Sequence, residues 1–336
     1  MMGTRARIDF ARYALCGAAL AALLLQAAPA GAQAPTKLHV PALTFPTIVT
    51  TADDIIKAKG FDKANGLDVE VVTYGTVGAE YAGIAKGEID AGIVAPYQVA
   101  KMRNDGVPIA ISASVVGMGD TQVITRNPAI TKFTDLKDHT LAATVGFSAY
   151  QYLQIYVGKF GMKLGTDIKV VDATTSLAQA QLQADRVDAI LSWEPTTTRV
   201  LTQMPDARII FSGNDGWKAV TGDVGWDIIC FINDDWVKAN PGALERMVKM
   251  YQDYSNFMNN NPDEADAIVS SEKYYTKGIP PGTIATAVKA KRLVIDVHPT
   301  WEPAINKQMW QMIDLGVEQN YIKPPEKAVI YNAAPK

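Results

Sequence analysis

Cysteine and histidine are scarce in this chain of 336 residues. The cysteines are Cys16 and Cys230, and the histidines are His39, His139 and His298. The histidines are scattered and form neither an HExxH motif nor another spaced set of metal ligands. Residues 117–120 (GMGD) begin like a GxGxxG phosphate loop but lack the third glycine, and there is no Walker loop. We therefore expect no metal, no cofactor and no enzyme activity.

Long apolar runs are confined to the N-terminus. Residues 13–28 (YALCGAALAALLLQAA) follow a basic start, and small residues at 28–32 offer a cleavage site after Ala32. This arrangement is typical of a secretory signal peptide, so residues 1–32 are predicted to be removed on export to the periplasm. The alternative, a transmembrane anchor, is disfavoured by the shortness of the run. Cys16 precedes most of the run and does not fit a lipidated cysteine.

Charge of either sign is also modest. The formal net charge is −3 and the chain has no basic patch, which excludes a typical nucleic-acid binder. After cleavage only Cys230 would remain, so no intramolecular disulfide can form. The remaining chain is long enough to bury a core without one, as two domains or one large one. We expect a monomer that does not insert into a membrane after cleavage.

Strand and helix patterns alternate along two stretches of the chain. Strands are predicted at residues 37–43, 67–74, 89–94, 107–116, 139–145, 168–173, 187–193 and 224–231, and helices at 51–66, 77–87, 96–106, 148–161 and 176–185. Apolar strands that alternate with helices indicate mostly parallel sheets covered on both faces. Four further helices are predicted after residue 240, and we expect them to pack on the units already formed.

One phrase occurs twice. Residues 87–96 (GEIDAGIVAP) and 185–195 (DRVDAILSWEP) both run from a helix end through Asp-Ala and a short apolar stretch to a proline. The repeat predicts two lobes built on one plan. An independent origin stays open, because Val-Asp-Ala or Ile-Asp-Ala is an ordinary entry to a buried strand.

Four segments together resemble a known family. Residues 59–76 (KGFDKANGLDVEVVTYGT), 87–94, 130–150 (ITKFTDLKDHTLAATVGFSAY) and 185–195 are similar to the periplasmic solute-binding proteins of ABC importers, in the branch named for nitrate, sulfonate and taurine. The resemblance implies an α/β protein with the two-lobed type II periplasmic binding fold. Each lobe would be a mixed, mostly parallel sheet flanked by helices, with the ligand cleft between the lobes. We expect lobe one at 37–119 plus 225–336 and lobe two at 120–224.

The resemblance also implies a function. The chain would capture a small organic solute by lobe closure and deliver it to a membrane permease, whose cytoplasmic ATPase hydrolyses ATP. The solute could be sulfonate-like or taurine-like, or another small organic anion or amine. One alternative is a ligand-binding sensor for a membrane receptor. A less favoured one is a thiamine-pyrimidine-related binding protein or enzyme, whose cysteine-rich motif this sequence lacks.

The cleft residues are predicted from strand ends, because ligands in open α/β sheets bind beyond the carboxyl ends of the strands. The predicted ligand-binding residues are Thr44, Phe45, Tyr74, Thr76, Tyr97, Gly146, Phe147, Ser148, Thr174, Trp193, Glu194, Trp226 and Asp227. Free N–H groups at the turn before residue 148, with the Ser148 hydroxyl, could hold an anionic group. Ser148 is also expected to cap its helix. Residues 146–150 (GFSAY) depart from the GxSxG pattern of a nucleophile elbow.

Trp193 and Glu194 end the second copy of the phrase. In a cleft, the tryptophan can stack on a ligand, and the glutamate can bind an amine or hydroxyl or pair across the cleft on closure. In the alternative, Trp193 packs under its lobe and Glu194 caps the next helix. Phe45, Tyr97 and Trp226 fit a plain core equally well.

Acids outnumber bases at the predicted mouth of the cleft. The acids are Asp120, Glu194, Asp223 and Asp227, and Arg126 or Arg199 would offset them only by pointing inward. This balance suits a ligand with an amine, a neutral polar ring, or an apolar body with one anionic end.

Overall fold

The structure is a computed structural model that describes residues 34–326 and 328–332, so the predicted signal peptide lies outside the described residues. From Thr36 onward the chain forms one compact unit. The strands are β1 (Thr36–Leu43), β2 (Leu67–Tyr74), β3 (Ala91–Val94), β4 (Ile109–Gly117), β5 (Thr121–Thr125), β6 (Thr140–Ala143), β7 (Lys169–Asp172), β8 (Ala189–Trp193), β9 (Arg208–Ser212) and β10 (Trp226–Asn233).

Helices connect and cover these strands. They are α1 (Ile48–Lys59), α2 (Phe61–Ala64), α3 (Val77–Ala85), α4 (Pro96–Asn104), α5 (Ser148–Gly158), α6 (Thr175–Gln183), α7 (Thr196–Gln203), α8 (Gly213–Thr221), α9 (Asp234–Ala239), α10 (Ala243–Asn260), α11 (Pro262–Ser270), α12 (Thr283–Lys289) and α13 (Pro303–Glu318). No helix within residues 34–326 and 328–332 is both long and apolar enough to cross a membrane.

Lobe one, as the name is used from here, is built on β1 to β4 and β10. β1 pairs in parallel with β2, and β10 lies antiparallel between β3 and β4. β3 runs beside β1, where the Asp90 N–H donates to the His39 carbonyl at 2.9 Å. The order across the lobe is therefore β2-β1-β3-β10-β4. β3 and β4 are buried along their whole length because helices cover both faces.

Lobe two is built on β5 to β9, in the order β7-β6-β8-β5-β9. β6 pairs in parallel with β7 and with β8, whereas β5 is antiparallel to both of its neighbours. Each lobe is thus a mostly parallel sheet that includes one antiparallel strand, as the sequence predicts.

The repeated phrase marks equivalent places in the two lobes. β3 and β8 both stand third in their sheets, and each is flanked by the antiparallel strand, β10 or β5. Pro96 begins the helix after β3, and Pro195 precedes the helix after β8. The two-lobe prediction is therefore confirmed, whereas the lobe limits at 119/120 and 224/225 stay a prediction.

The C-terminal helices pack on lobe one, as expected. α10 buries Leu244, Met247, Val248 and Tyr251 in the same core as α1 and β1. α13 buries Met309 and Met312 on the other side of the sheet, in the core that contains α4.

The structure differs from the predicted elements in three places. β5, β9, α8 and α9 had no predicted counterpart. The helix predicted at 51–66 begins at Ile48, capped by the Thr47 hydroxyl, and breaks at Gly60, where φ is 69°. Ser148 does not cap α5: the preceding Phe147 is the N-cap residue, with extended backbone and no side-chain capping bond, so Ser148 is the first helical residue.

Candidate ligand cleft

Two chain crossings join the lobes, and they lie side by side. The first is the short 3-10 turn Met118–Asp120 between β4 and β5, and the second contains α8 and leads into β10. An added Cβ on Gly213 would collide with the Met118 carbonyl, and one on Gly119 would collide with the Asn214 side chain. Glycine at both positions therefore permits the close approach of the crossings.

This approach brings together two buried carboxyl groups, on Asp120 of the first crossing and on Asp227 just after the second. The two groups lie close enough for each to affect the pKa of the other. Burial raises the pKa of Asp120 well above its usual range, and the charges of Asp227 and Glu194 raise it further. Burial also raises the pKa of Asp227, to about 6, against the lowering effect of the neighbouring Asp120. The two buried carboxyl groups therefore titrate as a pair, and both hold their protons more tightly than free aspartates.

Tyrosines from both lobes face this carboxyl pair. Burial raises the pKa of the Tyr81 phenol in α3, and the nearby charges of Glu80 and then Asp227 raise it further. Tyr152 of α5 is buried, and burial followed by the charges of Tyr97, Asp227 and Asp120 raises its pKa well above the usual range. Ser148 lies near enough to the Tyr152 hydroxyl to oppose this shift, although the geometry falls short of a hydrogen bond.

Tyr97 connects the lobes through its ring. The ring centroids of Tyr97, in lobe one, and Tyr152, in lobe two, are 5.3 Å apart. Trp217 of the second crossing packs edge-on against Tyr152 at 5.9 Å. The hydroxyls of Tyr97 and Tyr152 have no hydrogen-bond partner in the part of the chain that the structure describes. The two lobes thus meet through aromatic rings whose polar groups are unsatisfied.

Glu194 holds the lobes together at a second point. Its Oε1 accepts from the Nε of Arg292 at 2.8 Å, and Arg292 follows α12 on lobe one. Its carboxylate also accepts from the N–H and the hydroxyl of Thr198, both at 3.1 Å, in the first turn of α7. Both interpretations of Glu194 from the sequence, helix cap and cross-lobe partner, therefore occur together.

A further buried carboxyl group lies on lobe one. Glu80 is in the first turn of α3, next to Tyr81, and it is 2% exposed. Burial raises the pKa of Glu80 to about 8. Its Oε1 has no partner among the described residues.

The other predicted site residues of lobe two lie at an exposed rim. Phe147 stacks on Trp193 with ring centroids 5.4 Å apart, and Phe147 is 40% exposed. Gly146 is exposed beside it, and the exposed Thr174 caps α6 by accepting from the Leu177 N–H. This rim offers an exposed aromatic face, next to the Asp172 carboxylate that accepts from the Val145 N–H at 3.2 Å.

The remaining predicted residues of lobe one have partners within the lobe. Thr44 and Phe45 are exposed after β1, and Thr76 caps α3. The Tyr74 hydroxyl donates to Glu88 at 3.3 Å, and the buried Trp226 donates from its indole to Gln308 at 2.9 Å. Of the predicted set, Tyr97, Glu194 and Asp227 are the ones that the structure brings to the buried junction between the lobes.

The predicted basic residues do not reach the junction. Arg126 binds Asp185 and Asp206, and Arg199 binds Gln179, all within lobe two. Asp223 accepts from Lys307 at 3.0 Å on lobe one. Within the described residues, no group of three or more His, Cys, Asp or Glu side chains is arranged to hold a metal ion.

Sequence reasoning missed several residues of the junction. Tyr81, Tyr152 and Arg292 were not among the predicted ligand-binding residues, and Asp120 was noted only as an acid of the mouth. Tyr152 follows Ser148 by one helical turn, a spacing that places it on the same face of α5. Arg292 carries no such signal, because its position depends on how the C-terminal helices pack.

The chain thus has two α/β lobes that meet at this junction, and solved structures share the architecture. The aliphatic sulphonate-binding protein SsuA of Escherichia coli matches with a TM-score of 0.71 and 18% identity, over 87% of this chain and 95% of that one. SsuA of Xanthomonas axonopodis, solved with MOPS, has a TM-score of 0.67 and 17% identity over 88% and 96%. The nitrate-binding protein NrtA of Synechocystis has a TM-score of 0.62 and 16% identity over 87% and 83%. These neighbours are named as binding proteins, and at these identities the likeness establishes the fold.

Sequence comparison gives the family. The NMT1/THI5-like family profile matches residues 47–265, more than half of the chain, and the chain belongs to this family. A Brucella abortus protein whose name states only a binding role is 22% identical over 278 residues, which is 82% of this chain and 84% of that protein. The resemblance stated from the sequence and the type II periplasmic binding fold are confirmed.

Proposed function

We propose that this chain is the extracytoplasmic solute-binding component of an ABC import system. It captures a small organic solute between its lobes and delivers it to a membrane permease, whose cytoplasmic ATPase supplies the energy. Export by the N-terminal signal peptide brings it to the periplasm, where it acts as a monomer and without a chemical step. The names of its structural neighbours, which are sulfonate-binding and nitrate-binding proteins, support this proposal.

The observation that carries the proposal is the buried, unsatisfied junction between the lobes. Buried polar groups are nearly always hydrogen-bonded, and exceptions often mark functional positions. Here the hydroxyls of Tyr97 and Tyr152 and the Oδ1 of Asp120 lack partners within the described residues, and all three lie where the lobes meet. A solute enclosed at this place would supply the missing bonds.

Lobe closure is the proposed mechanism. A ligand favours the closed state in proportion to the contacts that it makes only there. Tyr81 and Asp227 from lobe one and Tyr152 from lobe two offer such contacts on both sides. The Glu194–Arg292 pair joins the two lobes at 2.8 Å and contributes to holding them together.

A thermal-shift screen tests the function. The chain from residue 33 is unfolded and refolded to remove carried-over solute, then mixed with taurine, alkanesulfonates, nitrate, bicarbonate, aromatic carboxylates, amines and cationic heterocycles. A solute that binds the native state raises the melting midpoint by mass action. Absence of a shift with every class, together with an unchanged radius of gyration in small-angle scattering, would contradict the proposal.

Uptake experiments separate an importer from a sensor. Cells that lack the gene should lose uptake of the labelled solute that binds the purified protein. Retained uptake with a lost transcriptional response to the solute would instead indicate a sensor for a membrane receptor.

A further inference from the structure

We propose that the cleft takes a small organic cation, a protonated amine or amidine, whose N–H groups bind the carboxyl pair of Asp120 and Asp227. The inference rests on the function proposed above and names the ligand class for the same site. It differs from the sulfonate and nitrate named for the structural neighbours, because the groups at this junction have the opposite charge preference.

The first argument is the charge of the junction. Asp120 and Asp227 are both buried acids, yet none of the ion pairs among the described residues involves either of them. Arg292 approaches the region, but its guanidinium is bonded to Glu194 and to the Thr198 hydroxyl. A buried charge without a partner is costly, and a cationic ligand would offset that cost. A sulfonate in the same place would meet a carboxylate of its own sign.

The second argument is independent and comes from the tyrosines. Tyr97 is 1% exposed and Tyr152 is 6% exposed, and neither hydroxyl has a partner within the described residues. Both rings lie at the junction, and Tyr152 is near enough to the carboxyl pair to feel its charge. Tyrosine rings attract cations to their faces, and a hydroxyl can accept from a ligand N–H. The unsatisfied groups therefore match a nitrogen cation with an apolar body.

Both lobes contribute to this recognition. Asp227 and Tyr81 stand on lobe one, Tyr152 stands on lobe two, and Asp120 stands on the crossing between them. A cation at the carboxyl pair would contact all of these elements at once. Its binding energy would thus favour the closed arrangement over the open one, as a solute-delivery mechanism requires.

The rival interpretation is an anion at the N-terminus of α5. The free N–H groups there and the Ser148 hydroxyl suit an anionic group. However, Gly146 and Phe147 at this turn are exposed. The Tyr152 hydroxyl, which Ser148 influences and which lacks a partner among the described residues, also feels the charges of the two acids. The experiment below therefore compares ligands that differ only in charge.

Isothermal titration calorimetry with matched probes tests the proposal at two sizes. Ethylammonium is compared with ethanesulfonate, and benzylammonium and benzamidinium are compared with benzoate and benzenesulfonate, against the refolded chain from residue 33. At least one cation should bind at least tenfold more tightly than its anionic counterpart. Asp227→Asn should weaken that binding at least tenfold. Asp215→Asn, an exposed acid of α8, is the matched control and should change it less than twofold.

The other outcomes distinguish a failure of the ligand-class proposal from a failure of the proposed function. Binding of an anionic probe in preference to the cations would overturn the ligand class and leave the solute-binding function standing. Failure of every probe would overturn the cation proposal, and the thermal-shift panel would then decide the function separately. If Asp227→Asn does not fold, Tyr152→Phe provides a second variant that should weaken cation binding at least threefold. Unchanged cation affinity in that variant would also count against the site.

Discussion

The buried carboxyl groups of Asp120 and Asp227 lie close enough to shift each other's pKa, although Asp120 stands on the first crossing between the lobes and Asp227 follows the second. Any rotation of one lobe against the other must pass through these crossings. A ligand that binds the pair therefore acts at the place where the lobes are connected. In the proposed mechanism, this relationship links solute recognition to lobe closure in one small region of the chain.

The charge of Asp227 should lower the stability of the solute-free protein. Its folded pKa of about 6 lies above the value near 4 expected in the unfolded chain, so the folded state holds the proton more tightly. The resulting stability is complete below about pH 4 and is lost as the pH rises to about 6. Asp227→Asn should therefore raise the free energy of unfolding at pH 7 by about 1–3 kcal/mol and change it little at pH 4. Urea unfolding at both pH values measures this, and a loss of stability at pH 7 would contradict it.

Loss of the Glu80 proton should also lower the stability of the solute-free protein, but over a higher pH range. Its folded pKa of about 8 exceeds the ordinary value of 4.5, so the stability that it contributes is lost between about pH 4.5 and pH 8. Glu80→Gln should stabilise the solute-free protein at pH 8 by about 2–4 kcal/mol and have little effect at pH 4. Thermal unfolding at the two pH values checks this. The exposed Glu318→Gln of α13 is the control, and equal effects of the two variants would rule out burial as the cause.

Removing the Tyr152 hydroxyl should stabilise the protein and weaken its ligand binding. The hydroxyl is buried without a partner within the described residues, and such a group costs about 1–3 kcal/mol. Tyr152→Phe should thus raise the melting midpoint of the solute-free protein. Tyr254→Phe is the matched control, because that hydroxyl lies 3.3 Å from the Thr51 Oγ1 and its loss should lower the midpoint. A lower melting midpoint in both variants would show that the Tyr152 hydroxyl does have a hydrogen-bond partner.

The pair of Glu194 and Arg292 should be strongly coupled. Arg292→Met leaves the buried Glu194 carboxylate without its cross-lobe partner, and breaking a buried pair typically costs about 3–5 kcal/mol. Adding Glu194→Gln to this variant should recover part of the loss, because the uncompensated charge is removed. A double-mutant cycle by urea unfolding measures the coupling. Arg199→Met, which loses a bond to Gln179 within lobe two, serves as the control, and additive effects of Glu194→Gln and Arg292→Met would contradict the coupling.

The rim should contribute less to binding than the buried junction. Phe147 stacks on Trp193 but remains 40% exposed. Aromatic contacts of this kind are worth about 0.5–1.5 kcal/mol, so Phe147→Ala should weaken solute binding by about two- to tenfold. Phe160→Ala, on the same lobe with similar exposure, should leave binding unchanged. Calorimetry measures the solute affinity of both variants. A loss of affinity in Phe147→Ala as large as that in Asp227→Asn would place the main site at the rim.

The two-lobe arrangement could be predicted from the sequence because it depends on local patterns of residues. β2 was predicted to the residue, and the repeated phrase falls on β3 and β8, which occupy equivalent places. β5 and β9 escaped prediction. β5 lies directly after the predicted limit between the lobes at 119/120, and β9 follows a helix in a stretch with weak alternation. Each belongs to its sheet because of long-range pairing with other strands.

The site was harder to predict than the fold because side-chain direction depends on packing. Thr76 and Thr174 lie at strand ends, as the rule for open sheets requires, yet both cap the helix that follows. Trp226 and Asp227 are neighbours at the start of β10, yet Trp226 donates to Gln308 of α13 and Asp227 joins the junction. Arg292 reaches Glu194 only through the placement of α12, which no local pattern specifies.

A distance measurement between the lobes tests the central claim most directly. Spin labels are placed at Ala79→Cys in α3 and Leu177→Cys in α6, two exposed positions that each lie in the first turn of a helix following a strand end. The native Cys230 is fully buried and should remain unlabelled. Solute released by unfolding natively purified protein is added back, and the distance distribution is recorded by double electron–electron resonance. The account predicts a shorter, narrower distribution with solute, and no change in Asp227→Asn. An unchanged distribution in the otherwise native protein at saturating solute would contradict it.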